Sequence, residues 1–394
     1  MKPSGILFLC GSAEPGRDGV GDYTRRLGAA LIRRGFRARV VATHDAGTES
    51  FREEIQVDDE TPIAVQRIPF LTPESKRLEW LQSVVDQFAP DWVSLQFVPW
   101  SYSRSGIPHD FARTLGRLRT DAPYQVMFHE LWLRNRSGGD LKGRLTGILQ
   151  RREILQLIRR LPAKVVHTHI PINRDELAGY GIAAKALPLF ANIGVASSPN
   201  AAIGTKPAAT YRVVFFSRME SPPPVQRVLQ AVADWCRNNL LRLEIVLLGG
   251  GKAKVSAAAD DLKKAVPEAV ILAVGYLSPP DISSWLKTCD LAVSPIPRHS
   301  QGKSGTVAAF LEHHLPVISP VVRRDYEPFF SPDLNSMVMD DFDPVAVAQA
   351  AQAFTTRPGL AESLAKSADR FLADLDLSVS SPRDESVAPQ NQQP

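Results

Sequence analysis

The sequence is poor in cysteine. Only Cys10, Cys236 and Cys289 occur in 394 residues, far apart, odd in number and outside any C-x-x-C pair. Neither a disulfide framework nor a cysteine zinc site is indicated, and a reducing cytoplasm fits. No run of 18 or more apolar residues is present that would span a bilayer. The opening MKPSGILFLCGSAEPGRDG has an apolar core, Gly5–Cys10, of only a strand's length, with no convincing cleavage pattern after it. It reads as a first buried strand rather than a signal peptide. Charge of one sign is scarce too. A net charge of +4 demands no nucleic-acid partner, although arginines cluster in Arg17–Arg39 and Arg151–Arg160. Such local basic faces suit phosphates, or peripheral contact with the anionic inner face of a membrane.

Two familiar phosphate signatures are incomplete. HSQGKSGTVAAFLEHHLPVIS (His299–Ser319) contains Gly302-Lys303-Ser304, the tail of a P-loop, but the glycine required five residues earlier is Pro297. Gly16, Gly19 and Gly21 do not have the G-x-G-x-x-G spacing, which disfavours a nicotinamide enzyme. No carboxylate pair or histidine cluster offers a metal site, so neither metal nor resident cofactor is expected.

What is present is alternation. ILFLC, ARVVAT, WVSLQF, YQVMF and KVVHTH are followed by YRVVFFS, LEIVLLG, VILAVG, DLAVSP and PVIS, with amphipathic segments between them. Short apolar runs of this kind read as parallel strands covered on both faces by helices. The pattern occurs twice, and the small, polar stretch Ala191–Thr210 separates the sets. The expected fold is α/β, with two doubly wound Rossmann-like domains facing a central cleft. Residues 1–195 form the first domain, 196–210 the linker, 206–377 the second domain and 378–394 a disordered tail. Ligands of such sheets bind beyond the carboxyl ends of the strands, so the cleft is the expected site.

Several residues fall at those ends. DLAVSP leads through a loop to a helix beginning near Thr306, so Ser304, Gly305 and Thr306 lie where unpaired amides and the helix dipole receive an anion, beside Lys303 and near Arg298 and His299. Ser304 or Thr306 could simply cap the helix, but a cap alone does not explain the adjoining lysine and glycines. Gly19 and Gly21 allow close backbone approach by a ligand. In MFHELW, His129 suits a sugar hydroxyl and Glu130 could assist; in LQFVPWSY, Trp100 and Tyr102 suit stacking on a sugar or lipid acceptor, or simply packing. Asp22 is a further acceptor-side candidate. Arg218 ends VVFFSR, well placed for a diphosphate.

Taken in order, GVGDYTRRLGAALIRRGFRARVV, MFHELW, VVFFSRM, LLGGG, VGYLSPPDISSWLKTCDLAVSP and LPVIS resemble the retaining glycosyltransferases of the GT-B fold, in the group 1 or family 4-like set, over about Ile6 to Thr356. The resemblance implies a nucleoside-diphosphate sugar as donor and a glycan, lipid-linked or small-molecule acceptor. It places Gly19, Val20 and Gly21 near donor phosphate or acceptor, His129 on the transferred sugar, Arg218 on the diphosphate, and Gly275, Tyr276 and Leu277 around the base. His129, Arg218 and Lys303 are the expected catalytic residues. Two departures stand out. The family lysine after the Arg218 equivalent is absent from Ser221-Pro222-Pro223-Pro224, and the two glutamates near the donor helix are Ser300 and Ala308. Lys303 could replace the missing charge; alternatively, the protein is a lapsed enzyme that binds or scaffolds in glycan assembly.

Overall fold

The computed structural model describes residues 3–134, 141–198, 200, 203, 205–321, 331–357 and 363–378. Most of the expected tail, and parts of the expected linker, lie outside them. The first half contains β1 (Gly5–Cys10), α1 (Gly19–Arg33), β2 (Arg37–Asp45), β3 (Arg52–Asp58), β4 (Thr61–Pro69), α2 (Glu74–Phe88) and β5 (Trp92–Phe97). It continues with α3 (Pro99–Tyr102), α4 (His109–Leu115), β6 (Tyr124–Phe128), α5 (Leu141–Arg160), β7 (Ala163–Thr168), α6 (Pro171–Ala178) and β8 (Lys185–Ala186). The second half contains β9 (Thr210–Phe216), α7 (Pro223–Asn238), β10 (Arg242–Leu248), α8 (Lys252–Ala265), β11 (Val270–Gly275), α9 (Pro279–Leu286) and β12 (Leu291–Val293). After a 3-10 turn at Arg298–Lys303 come α10 (Gly305–Glu312), β13 (Val317–Ile318), α11 (Pro332–Ser336), β14 (Val338–Met339), α12 (Pro344–Thr356) and α13 (Leu364–Asp374).

The first sheet has the order β3-β4-β2-β1-β5-β6-β7-β8 and the second β11-β10-β9-β12-β13-β14. Every described pairing is parallel except β3 with β4. Strands β1, β5 and β6 are buried along their whole length. That is why their sequences read as unbroken apolar runs: helices cover both faces of the sheet. Chain direction across the sheet reverses between β1 and β5 in the first domain and between β9 and β12 in the second. Loops diverge at these two points and leave crevices at the strand ends.

Local sequence sets the helix ends. Asp18 caps α1 by accepting from the Gly21 amide at 2.6 Å, and Gly35 (φ +86°) turns the chain after it. Prolines start α7, α9 and α12, where a missing N–H costs nothing. The Pro222-Pro223-Pro224 run is therefore a helix start, in the place where the resemblance expected a phosphate-binding lysine.

The second-domain range 206–377 needs one correction. Helix α13 packs in the first domain: Ala368, Phe371, Leu372 and Leu375 share a core with Ile6, Phe8, Leu27 and Leu31. The Phe371 and Phe8 rings stack at 6.0 Å, and Arg34 Nε donates to Asp369 at 2.8 Å. The apolar face of α13 is completed by α1 and β1, on which the chain folds back.

Candidate functional site

The two crevices meet in a cleft of about 310 Å³ lined by Asp18, Gly19, Val20, Tyr23, Val98, Ser101, His129, Glu130, Leu189, Asn192, Lys303 and Gly305. The first domain contributes the start of α1 and the ends of β5 and β6. The second contributes the start of α10. Asn192 joins the two helix starts: its Nδ2 donates to the Gly19 carbonyl at 3.3 Å, and a Cβ built on Gly19 or on Gly305 would lie 3.9 or 3.6 Å from that nitrogen. The amides of a first helical turn have no intrahelical partner, so two positive dipole ends face one space.

Lys303 projects into the cleft, and its Nζ lies 3.3 Å from Glu130 Oε1 of the opposite domain. His129 lines the wall with both ring nitrogens engaged, Nε2 at 2.9 Å from Gln96 Oε1 and Nδ1 at 3.0 Å from His169 Nε2. A sugar hydroxyl bonded to His129 would have to displace one of these. Burial, then the neighbouring His169 and Lys303, holds the His129 imidazole well below its ordinary pKa; burial lowers that of His169 to about 3, against the Leu187 carbonyl contact that raises it. Of the two rings, His129 lines the cleft and the buried His169 backs it. Asp18 is pushed upward by burial, with the Gly21 amide opposing.

Of the residues expected from the sequence, Gly19, His129, Glu130, Lys303 and Gly305 come together here. Ser304 caps α10, its hydroxyl accepting from the Val307 amide at 3.3 Å, and Thr306 lies in the first turn. The others are elsewhere. Gly21 is buried against the chain's own loop: a Cβ there would lie 2.5 Å from the Ser12 carbonyl oxygen, so its missing side chain admits backbone, not ligand. Asp22 accepts from the Gly16 amide at 3.0 Å and pairs with Arg25 at 2.7 Å, which turns it away from an acceptor. Tyr102 is core: it stacks on Phe111 at 4.0 Å and donates to the Gln96 carbonyl at 2.6 Å. Trp100 is 45% exposed but packs over Gly106 rather than lining the cleft. Arg298, considered as added charge, donates to the Val338 and Asn335 carbonyls and is structural.

Arg218 lies at the end of β9, 55% exposed and paired with Glu220 at 3.1 Å. Beside it the ends of β9, β10 and β11 form a glycine-rich rim. Gly249, Gly250 and Gly275 all have positive φ, Gly249 donates to the Gly275 carbonyl, and Lys254 Nζ donates to the Ser217 carbonyl at 2.9 Å. Lys254 is a cation that the sequence reading missed, because it was sought after Arg218 in the chain rather than after the following strand. Tyr276 is exposed, and its hydroxyl donates to the Gly16 carbonyl of the first domain at 2.8 Å; Leu277 packs against the second-domain core. Asp18, Ser101 and Asn192 were also missed. Only Asp18 carried a signal, as an acidic residue immediately before a helix.

Residues 18–192 match the model of the glycosyl transferase 4-like domain. No curated protein matches the chain. Among solved structures it is similar to the UDP-forming trehalose-phosphate synthase of Burkholderia xenovorans in complex with glucose-6-phosphate (10% identity, 95% of this chain and 100% of that one, TM-score 0.57). It is also similar to HepE of Anabaena in complex with UDP and glucose (14%, 95% and 95%, 0.51). A third is the UDP-GlcNAc 2-epimerase of Neisseria meningitidis bound to UDP-GlcNAc (9%, 94% and 99%, 0.51). At these identities the likeness is one of fold. The chain has the GT-B fold, and within its first half residues 18–192 are similar to the glycosyl transferase 4-like domain.

Proposed function

We propose that the protein transfers a sugar from a nucleoside-diphosphate sugar to an acceptor hydroxyl, with retention. The observation that carries this reading is the convergence of two helix starts, one from each domain, and Lys303 on one cleft. Departure of the nucleotide places negative charge on the β-phosphate. Amides and a cation already aimed at that charge lower the barrier without reorganising. The leaving phosphate then helps to deprotonate the acceptor from the same face. The glycine-rich rim with Arg218, Lys254 and Tyr276 would hold the nucleotide. Lys303 would leave Glu130 for the diphosphate, and Glu130 is then free to accept from an acceptor hydroxyl.

UDP-linked sugars are the first donors to try, because HepE and the Neisseria epimerase are seen with UDP or UDP-GlcNAc. A glycan, lipid-linked or small-molecule acceptor fits. The experiment is a panel of nucleoside-diphosphate sugars read by thermal shift and by release of free nucleotide. Stabilisation by one donor with slow hydrolysis is the expected result. A second reading, a binding or scaffold subunit, is favoured by Ser300 and Ala308, which bring no carboxylate to the donor helix. It predicts no turnover with any donor, and reproducible sugar transfer would remove it. A folded protein silent to every donor would overturn the transfer reading and favour the binding or scaffold reading.

A further inference from the structure

The cleft histidine belongs to a polar chain that crosses the interior of the first domain. Asp374 Oδ2 of α13 lies 2.9 Å from His167 Nε2, and His167 Nδ1 lies 3.0 Å from the Gln125 amide. Gln125 contacts Ser94 Oγ at 2.5 Å, and Ser94 contacts the Gln96 amide at 2.7 Å. Gln96 meets His129 Nε2 at 2.9 Å, His129 Nδ1 meets His169 Nε2 at 3.0 Å, and His169 Nδ1 meets the Leu187 carbonyl at 2.8 Å. Its members on β5, β6 and β7 and just beyond sit at alternate positions, so one face of the sheet carries them all. Ser94, Gln96, Gln125, His167 and His169 are 2% exposed or less. No solvent stands in for a missing partner, and an unmade bond at this depth is costly.

The chain has seven contacts and so needs seven hydrogens. Both ends, a carboxylate and a carbonyl, supply none. Each of the six groups between them, three neutral imidazoles, two amides and a hydroxyl, places one hydrogen in the chain. The total is one short whichever way the amides face, since turning an amide only reverses its direction. One imidazole must therefore carry a second proton.

We propose that this proton resides on His167, opposite Asp374, and that the chain thereby fixes His129 as a neutral ring with hydrogen on Nδ1 and a bare Nε2. The Leu187 carbonyl requires hydrogen on His169 Nδ1, which leaves His169 Nε2 to accept from His129 Nδ1. This pattern reverses both amides relative to their placement in the structure, where Gln96 Oε1 faces His129 Nε2 and Gln125 Nε2 faces His167 Nδ1. A flip that exchanges amide oxygen and nitrogen brings the Gln96 nitrogen to His129 Nε2 and the Gln125 oxygen to His167. The alternative location, the His129 and His169 pair, faces Lys303 and the edge of the Tyr23 ring, with no carboxylate in contact with either imidazole. His167 faces Asp374, with Lys185 and Arg370 beyond it. Burial, with Lys185 and Arg370 adding to it, outweighs the hydrogen bond and field of Asp374 and holds the His167 pKa below its ordinary value. The charge on His167 runs against that direction and rests on the hydrogen count and on Asp374, the one carboxylate among the described residues in contact with an imidazole of the chain. Asp374, over in α13, is thus a positioning residue for the cleft. Toward a sugar hydroxyl that displaces Gln96, His129 can accept a hydrogen and cannot donate one. This last consequence rests on the transfer reading; the protonation pattern does not.

The test is long-range nitrogen NMR of the full chain labelled in histidine, at pH 7, with His167→Gln, His129→Gln and His169→Gln variants for assignment. The expected spectrum has both nitrogens of His167 protonated and hydrogen on Nδ1 alone in His129 and His169. In Asp374→Asn the new amide supplies the seventh hydrogen, so His167 becomes neutral while His129 keeps its tautomer. A neutral His167 in the wild-type chain, hydrogen on His129 Nε2, or a His167 that stays charged in Asp374→Asn would overturn the proposal. If Asp374→Asn does not fold, the wild-type spectrum alone decides. Silence toward every nucleotide sugar beside the expected spectrum would sink the transfer reading only.

Discussion

Lys303 of the second domain and Glu130 of the first form an ion pair across the cleft, with Nζ 3.3 Å from Oε1. The lysine that the transfer reading needs for a diphosphate is held by a carboxylate. Both side chains are partly exposed, 25% and 45%, so the pair contributes little to stability. Its effect falls on ligand binding. Lys303→Ala is expected to weaken binding of the preferred UDP-sugar by about tenfold or more, roughly 1.4 kcal/mol. Glu130→Gln is expected to tighten it by removing the competing charge. Titration calorimetry at two salt concentrations checks both; equal affinities in all three proteins would remove Lys303 from the site.

Gly21 was read from the sequence as a place for ligand backbone, and the structure makes it a packing position. A methyl group there would meet the Ser12 carbonyl oxygen at 2.5 Å and Ala13 Cα at 2.9 Å. Neither atom is the flexible end of a side chain. Gly21→Ala is expected to cost about 1–3 kcal/mol by overpacking and to displace the Gly11–Asp18 loop. Gly19→Ala meets only Asn192 at 3.9 Å and is expected to leave stability unchanged. Thermal denaturation of the two variants separates these roles.

The double β/α pattern was legible because parallel strands buried on both faces leave an unmistakable run of apolar residues. The hairpin of β3 and β4 was not. Its turn places Asp59 and Glu60 at φ of 47° and 61° without the glycine that usually marks such a turn. The polar chain was passed over although Ser94 and Gln96, and His167 and His169, alternate within otherwise apolar strands. That is a period-2 signal, and its meaning depends on three strands lying side by side. Likewise, the cation of the glycine-rich rim, Lys254, is distant in sequence from Arg218 and adjacent to its loop only through parallel pairing of β9 and β10.

Helix α5 exposes Leu141, Leu145 and Ile148 at 82%, 56% and 53%, spaced to share one face, with Lys142, Arg144 and Arg152 also exposed on the helix. An apolar stripe with cations beside it suits the surface of an anionic bilayer. If the acceptor is carried on a membrane, the protein is expected to sediment with anionic vesicles and not with neutral ones. Replacing the three apolar residues by Ser should abolish this without changing UDP-sugar binding. Equal sedimentation with both kinds of vesicle, or with neither, would argue for a soluble acceptor.

Phe371 tests the assignment of α13 to the first domain. It is fully buried, stacks on Phe8 and packs among residues of α1 and β1. Phe371→Ala is expected to destabilise the first domain by about 3–5 kcal/mol. Hydrogen exchange should show the loss in α1 and β1 and leave β9 and β10 protected. Loss confined to the second sheet would contradict the packing.

Acid stability supplies the last prediction, through Glu74. Burial would raise its carboxyl, but hydrogen bonds from His44, Thr114 and Arg77 outweigh that and lower its pKa from 4.5 to about 2. A carboxylate whose folded pKa is depressed stabilises the native state fully above its unfolded pKa, and that contribution is lost as pH falls through the folded value. Stability should therefore fall between pH 4.5 and about 2. Glu74→Gln cannot ionise and loses this part of the slope, although the amide also leaves the Arg77 guanidinium, 1% exposed, without its carboxylate and so lowers stability at neutral pH. Urea denaturation at several pH values reads both effects. A Glu74→Gln profile as steep in acid as that of the unaltered chain would mean that other carboxylates dominate acid unfolding.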